Sequence, residues 1–145
     1  FNGWDSHTDN TIQAPHWNEL MAGLTWLIDE LAARNGPAGG TLLDETTVVV
    51  LSEMSRFPLV NGDGGKDHWT YTSAMLIGAG VAGGRIIGGY DAHLIGRPIN
   101  LRDGSVDDAG EALLPGHLGA TILALGDVDP GPWVEGADPI SAALA

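Results

Sequence analysis

The chain has 145 residues and a formal net charge of −13, from 19 acidic residues against 6 Lys and Arg residues. A surface this negative repels nucleic acid and anionic membranes, so neither is expected as a partner. The absence of cysteine excludes disulfides and thiolate metal ligands. No apolar run approaches the ~20 residues of a membrane span. The 43% hydrophobic content predicts a globular domain, or part of one, with its own core.

The first predicted element is an amphipathic helix of about five turns. Its apolar residues recur at three- and four-residue spacing, and they are Trp17, Leu20, Met21, Leu24, Leu27, Ile28 and Leu31. Pro15 suits the first turn, and Asp9 or Asn10 offers a cap. The sequence Asn35-Gly36-Pro37 predicts the end of the helix.

Three strands are predicted after this helix. Residues 46–51 form a continuous β-branched run, which indicates a strand buried on both faces and favours a parallel sheet. Residues 72–77 predict another buried strand, and residues 85–89 a short one. Residues 53–71 are polar and rich in turns. The order strand, helix, strand is typical of an α/β fold, in which ligands bind at the carboxyl ends of the strands.

A second amphipathic helix is predicted over residues 115–125, after an irregular segment over 90–110. His16 and His117 fall in the first turns of the two helices, where surface positions are expected. His93 lies in the irregular segment, and no pattern around it indicates a ligand role.

Asp5 and His7 are the first candidate metal ligands. A mixed oxygen and nitrogen pair suits zinc, manganese or a similar cation. The alternative is that Asp5 is a solvated loop residue beside the cap of the helix. On spacing alone this alternative is the stronger one, because an Asp-x-His pair is common by chance.

Glu53 follows the strand of residues 46–51, where it would emerge at the rim of the sheet. Arg56, three residues further on, would hold Glu53 in place or bind an anionic group of a substrate. The alternative is a structural ion pair between Glu53 and Arg56. The sequence favours neither.

The third candidate group follows the glycine-rich loop of residues 61–65. His68 is a candidate ligand, and Asp67 a candidate carboxylate that orients it. Lys66 is a candidate for binding an anion. The alternative is a surface loop anchored by the packing of Trp69, and taken alone this group favours that alternative slightly.

These motifs, in this order, resemble the DUF1501 family. The resemblance rests on Gly-Trp-Asp-Ser-His at residues 3–7, Ser-Glu-Met-Ser-Arg at 52–56 and Gly-Gly-Lys-Asp-His-Trp at 64–69. Residues 115–126 are similar to the last helix of the family, and Asp138-Pro139-Ile140 to its terminal segment.

The family resembles a branch of the alkaline phosphatase-like (sulfatase-like) superfamily. That resemblance implies a three-layer α/β/α sandwich around a mostly parallel sheet, and a metal-dependent hydrolase of phosphate or sulfate esters. It implies a divalent metal, zinc before calcium, magnesium or manganese, bound by Asp5, His7, Glu53 and His68. Asp67 would orient His68, and Arg56 or Lys66 would neutralise the charge of the ester.

Two departures from the superfamily pattern shape the expectation. Met54 stands where a His usually follows the strand-end acid, so a second metal site of the usual kind is not implied. The nucleophile of the superfamily belongs near the start of the whole protein. Residues 1–145 are therefore expected to be the C-terminal part of one domain, inactive alone.

Several further expectations accompany this interpretation. The resemblance implies export to the periplasm or the medium. An apolar edge of a truncated sheet predicts a homodimer or poor solubility. The alternative function is a non-catalytic metal-binding or protein-interaction module on a degenerate hydrolase fold.

Overall fold

The computed structural model describes residues 3–145; Phe1 and Asn2, the first two residues of the predicted domain, lie outside the described part. The chain forms two compact units. The first contains the described residues up to Glu45 together with Val50–Met75, and the second contains Thr46–Val49 and Leu76–Ala145.

The first unit begins with a short loop and a long helix. A 3₁₀ turn over Asn10–Ile12 leads into helix α1, Gln13–Ala33. The Asp9 carboxylate caps the turn by accepting a hydrogen bond from the backbone N–H of Thr11 at 2.8 Å. The predicted helix is confirmed, with a start slightly ahead of Pro15. Asp9 caps the 3₁₀ turn and not α1 itself, whose N-cap residue, Ile12, makes no side-chain cap. A 3₁₀ helix over Leu42–Glu45 follows.

The apolar face of α1 is only partly covered. Its leucines at positions 20, 24, 27 and 31 are half-buried, and no residue of the helix is fully buried. Trp17 is 48% exposed and packs edge-on against Trp4, with ring centroids 5.3 Å apart. The long apolar periodicity therefore correctly predicts a helix, but that helix has no deeply buried face.

Four short strands form two sheets of two strands each. Strand β1, Thr47–Val50, pairs with β4, Met75–Gly78. Strand β2, Ser55–Arg56, pairs antiparallel with β3, His68–Trp69, so that Arg56 lies opposite His68. The β2–β3 pair belongs to the first unit and carries the candidate residues Arg56 and His68.

The second unit holds the buried core and helix α2, Pro115–Leu125, which was predicted at these bounds. The core is a small cluster of Ile99, Ile140, Ala142 and Ala143, with Leu76, Ile87 and Leu101 packed against it. Thr121 is fully buried: its hydroxyl donates to the carbonyl of His117 at 2.6 Å and accepts from the N–H of Ile140 at 2.9 Å. This hydroxyl attaches the C-terminal segment to α2.

The predicted three-layer α/β/α sandwich with a mostly parallel sheet is wrong. Within residues 3–145 there are two α-helices and two sheets of two strands, and the β2–β3 sheet is antiparallel. The run at 46–51 was interpreted as buried on both faces. In the structure β1 is half-buried throughout, and Leu51 is 55% exposed. Its β-branched composition reflects strand preference and not full burial.

Four smaller expectations are also corrected. Residues 85–89 form no strand, whereas residues 53–71, described from the sequence as polar and rich in turns, contain β2 and β3. His117 is 4% exposed, and Nδ1 of its ring lies 3.0 Å from the carbonyl oxygen of Asp138. This first-turn position faces the core because the C-terminal segment covers it. His16 is half-buried against Trp4.

None of the helices in residues 3–145 is long and apolar enough to cross a membrane. The same was predicted from the sequence.

Candidate functional site

The site begins with a carboxylate and an imidazole two residues apart. The Asp5 carboxylate accepts a hydrogen bond from the backbone N–H of His7 at 3.2 Å, and its Oδ1 also contacts Nδ1 of the His7 ring. These two hydrogen bonds, the side-chain one first, hold the pKa of Asp5 below its ordinary value of 3.8. Because an ionised carboxylate only accepts, it favours the tautomer of His7 with its proton on Nδ1.

The glycine-rich loop lies directly on this opening segment. The backbone N–H of Lys66 donates to the carbonyl of Ser6 at 2.8 Å, and the N–H of Asn10 donates to the carbonyl of Gly64 at 3.2 Å. A Cβ atom on Gly65 would stand 2.0 Å from the carbonyl oxygen of His7. Only glycine permits so close an approach of the two backbones. The motifs at 3–7 and 64–69 are therefore joined through main-chain atoms.

The β2–β3 pair adds Arg56 and His68 to the same place. Arg56 and His68 are cross-strand partners, so their side chains share one face of the pair. The ring of His68 lies against that of His7, with centroids 4.6 Å apart and planes inclined by 52°. Residues from positions 5–7, 56 and 68 thus form one cluster, which we call the His7 cluster: Asp5, His7, Arg56 and His68.

Arg56 is the central cation of the His7 cluster. Its Nη1 lies 3.1 Å from Nδ1 and 3.3 Å from Nε2 of His7, and it donates to the carbonyl of Lys66 at 3.2 Å. Its Nη2 donates to Oδ1 of Asp5 at 3.3 Å and to the carbonyl of Trp4 at 3.4 Å. The side chain is 16% exposed. Arg56 pairs with Asp5 and not with Glu53.

Three of the predicted site residues contribute differently from expectation. Glu53 is exposed, and its carboxylate accepts a hydrogen bond from the neighbouring Ser52 hydroxyl at 3.3 Å. Lys66 contributes its backbone groups to the cluster. Asp67 accepts a hydrogen bond from the side-chain amide of Asn61 at 3.1 Å, so the carboxylate that orients an imidazole here is Asp5.

Sequence reasoning missed Asn61. Its side chain donates to the carbonyl of His7 at 2.9 Å and to Asp67, and it accepts from the backbone N–H groups of Asp63 and Gly65. The only signal was an Asn at the head of a glycine-rich turn. Such a position predicts a turn, and it does not reveal bonds that leave the turn.

The donor atoms of Asp5, His7 and His68 are of the types that zinc takes, so by chemistry this trio fits a divalent metal. Their arrangement is not a ready coordination group. Across residues 3–145 no three His, Asp or Glu side chains are grouped so as to hold a metal ion. Arg56 faces both ring nitrogens of His7. Coordination through Nε2 of His7 therefore requires Arg56 to move.

Comparison with protein families agrees with the motifs. The sequence model of one family, described as "Protein of unknown function (DUF1501)", matches residues 1–126. The chain therefore belongs to the DUF1501 family, as its motifs predicted. The match includes the whole His7 cluster and α2, whereas residues 138–140 lie beyond it. No curated protein matches the chain, and no solved structure does.

Proposed function

We propose that the chain supplies part of a metal-dependent hydrolytic site for phosphate or sulfate esters. The observation that supports this most is the convergence of an imidazole pair, a carboxylate and a half-buried guanidinium in the His7 cluster. Asp5 and His7 come from a segment that lies about 50 residues before Arg56 in the sequence. The 61–67 loop, which leads to His68, contacts the backbone of this opening segment.

Each member of the cluster has a distinct chemical role in this proposal. The guanidinium of Arg56 is a planar fork of donors that matches two oxygens of a phosphate or sulfate group. Asp5 keeps the proton of His7 on Nδ1, so the lone pair lies on Nε2, where it can bind a metal once Arg56 has moved away. Lys66, whose backbone carbonyl accepts from Arg56, is the second residue proposed to offset the charge of the ester.

Asp5, His7, Glu53 and His68 are the residues that would hold a divalent metal, with zinc preferred by the mixed donors. When bound, such an ion polarises an oxygen of the ester. Glu53 would have to approach the cluster from its exposed position. The superfamily relationship and the export of the protein stay predictions.

A non-catalytic metal-binding or protein-interaction module is the second candidate. One observation favours the protein-interaction form of this module: Arg56 contacts both nitrogens of His7, and its guanidinium occupies the lone pair that a metal needs. The two candidates differ in whether Arg56 and His7 act on an ester or only hold the fold of the first unit.

Metal content tests the proposed site. The purified 145-residue chain is equilibrated with zinc, dialysed and measured by elemental analysis. We expect about one zinc per chain, and a loss of at least about tenfold in affinity for His7→Ala and for His68→Ala. His93→Ala is the matched control, since His93 is exposed and lies in the other unit.

The site is contradicted if the unaltered chain binds no zinc, or if the unaltered chain and the three variants bind equal amounts. Turnover of an aryl phosphate or aryl sulfate is measured on the same samples, and little or none is expected of this chain alone. Rapid turnover would contradict the proposal that the chain supplies only part of the hydrolytic site. Light scattering of these samples tests the predicted homodimer.

A further inference from the structure

Asn61 uses its whole hydrogen-bonding capacity within the site. Its Nδ2 donates to the carbonyl oxygen of His7 at 2.9 Å and to Oδ1 of Asp67 at 3.1 Å. Its Oδ1 accepts from the N–H groups of Asp63 at 3.1 Å and Gly65 at 3.0 Å. An amide has two donor hydrogens and two acceptor lone pairs, so all four are satisfied.

The two sides of this amide have different tasks. The bonds to Oδ1 stay inside the turn, which is also closed by the backbone bonds from Asn61 N–H to the Gly65 carbonyl at 2.8 Å and from Gly64 N–H to the Asn61 carbonyl at 3.3 Å. The bonds from Nδ2 leave the turn. They reach His7, 54 positions away in the sequence, and Asp67, directly before His68.

We propose that Asn61 is a positioning residue that sets the placement of His68 against His7. This rests on the proposed function, since it assigns a role in the same site. The Nδ2 group donates to the backbone carbonyl of His7 and to the side chain of Asp67, the residue directly before His68. A fixed link of this kind keeps the two rings at their 4.6 Å separation. Outer groups of this kind commonly orient the residues that bind a ligand.

The substitution Asn61→Asp separates this role from that of the turn. It keeps an oxygen for the N–H groups of Asp63 and Gly65, and it replaces the donating Nδ2 by a second oxygen. That oxygen faces the carbonyl of His7 and the carboxylate of Asp67, so both links are lost and the like charges repel. The fold of the turn is retained.

The measurement is the nuclear Overhauser effect between ring protons of His7 and His68 in the full chain. We expect a clear signal in the unaltered protein and a marked loss of it in N61D, because the signal falls steeply as the distance between the ring protons grows. The contact between Trp4 and His16, whose ring centroids lie 5.3 Å apart, is the internal control and is expected to persist. An unchanged His7–His68 signal in N61D overturns the proposal.

A swap and a milder variant complete the test. In N61D/D67N the amide introduced at position 67 faces the carboxylate introduced at position 61, so the link between the two positions re-forms. We expect a partial return of the His7–His68 signal. No return would count against the proposal. If N61D does not fold, Asp67→Ala, which removes one acceptor, is expected to weaken the signal, and an unchanged signal overturns the proposal.

Zinc affinity separates this inference from the function on which it rests. N61D is expected to bind zinc at least about tenfold more weakly than the unaltered chain. If the unaltered chain binds no zinc, the proposed function fails, while the ring-proton comparison still decides whether Asn61 positions the two imidazoles.

Discussion

Nη1 of Arg56 lies 3.1 Å from Nδ1 and 3.3 Å from Nε2 of His7, so one guanidinium nitrogen faces both nitrogens of a single imidazole. A guanidinium only donates hydrogen bonds, and it therefore competes with any metal for the lone pair on Nε2. The contact of Arg56 with Nε2 of His7 and the coordination of a metal through Nε2 therefore exclude each other. Substitutions at Arg56 should thus affect metal binding and anion binding in opposite directions.

Arg56→Ala is expected to raise zinc affinity about tenfold, because a charge-assisted hydrogen bond of about 1.5 kcal/mol no longer competes. The same variant is expected to weaken the binding of inorganic phosphate. Isothermal titration measures both. Arg102→Ala, which removes one exposed positive charge in the other unit, is the control for net charge and should leave both affinities unchanged. Weaker zinc binding by R56A would contradict the competition.

Gly65→Ala is expected to destabilise the first unit, because the new Cβ atom would stand 2.0 Å from the His7 carbonyl oxygen and 2.3 Å from that of Ser6. Overpacking of this kind costs about 1–3 kcal/mol. Gly62→Ala is the matched control, since a Cβ atom there meets nothing within 4 Å, and its effect should stay within about 0.5 kcal/mol. Urea unfolding measures the difference. Equal stability of the two variants would show that the loop does not lie on this segment.

Thr121→Val is expected to destabilise the second unit. The substitution keeps the shape of the side chain and leaves the buried N–H of Ile140 without its acceptor. An unsatisfied buried group of this kind costs about 1–3 kcal/mol. Thr25→Val is the control, since the Thr25 hydroxyl donates to the Met21 carbonyl at an exposed position. Thermal unfolding compares them, and the prediction fails if T121V melts with the unaltered chain.

Asp44 is expected to make the stability of the fold depend on pH. Its carboxylate accepts from the N–H of Thr41 at 2.7 Å and from the Thr41 hydroxyl at 2.8 Å, and these bonds, the backbone one first, lower its pKa from 3.8. A carboxyl with a lower pKa in the folded state stabilises the fold above its unfolded pKa. That stabilisation is lost as pH falls through the folded pKa.

The substitution Asp44→Asn should therefore lower the Tm more at pH 6 than at pH 3. Differential scanning calorimetry at the two pH values measures this. Asp29→Asn, at an exposed position of α1, controls for the removal of one negative charge. An equal loss of Tm at both pH values in D44N would refute the assignment.

The helices were predictable from local pattern, and the sheets were not. The bounds of α2 agree with the prediction because Pro115 starts the helix, Gly126 follows it, and apolar periodicity fills the interval. The β-branched run at 46–51 indicated a strand but not its partner or its burial. Pairing depends on distant residues, and β2 and β3 lie among polar, turn-rich residues with no alternating pattern.

The sequence indicated which residues belong to the site better than it indicated how they contact one another. The ordered motifs predicted Asp5, His7, Glu53 and His68 as ligands, with Arg56 or Lys66 for the charge of the ester. Of these, the structure brings together Asp5, His7, Arg56 and His68. Glu53 was included because of a sheet rim that the structure does not have. The partners of Asp67 and Asp5 depend on the path of the 61–67 loop, and local sequence does not determine that path.

The contacts of His7 with Arg56 and Asn61 join positions 49 and 54 residues apart, with the whole of α1 between them. Closing so long a segment costs entropy before any contact stabilises it, so His7 meets these two distant partners only when the first unit is essentially folded. The ring resonances of His7 are consequently a built-in reporter of folding. In a refolding experiment they should reach their native positions after the helical signal of α1 has appeared.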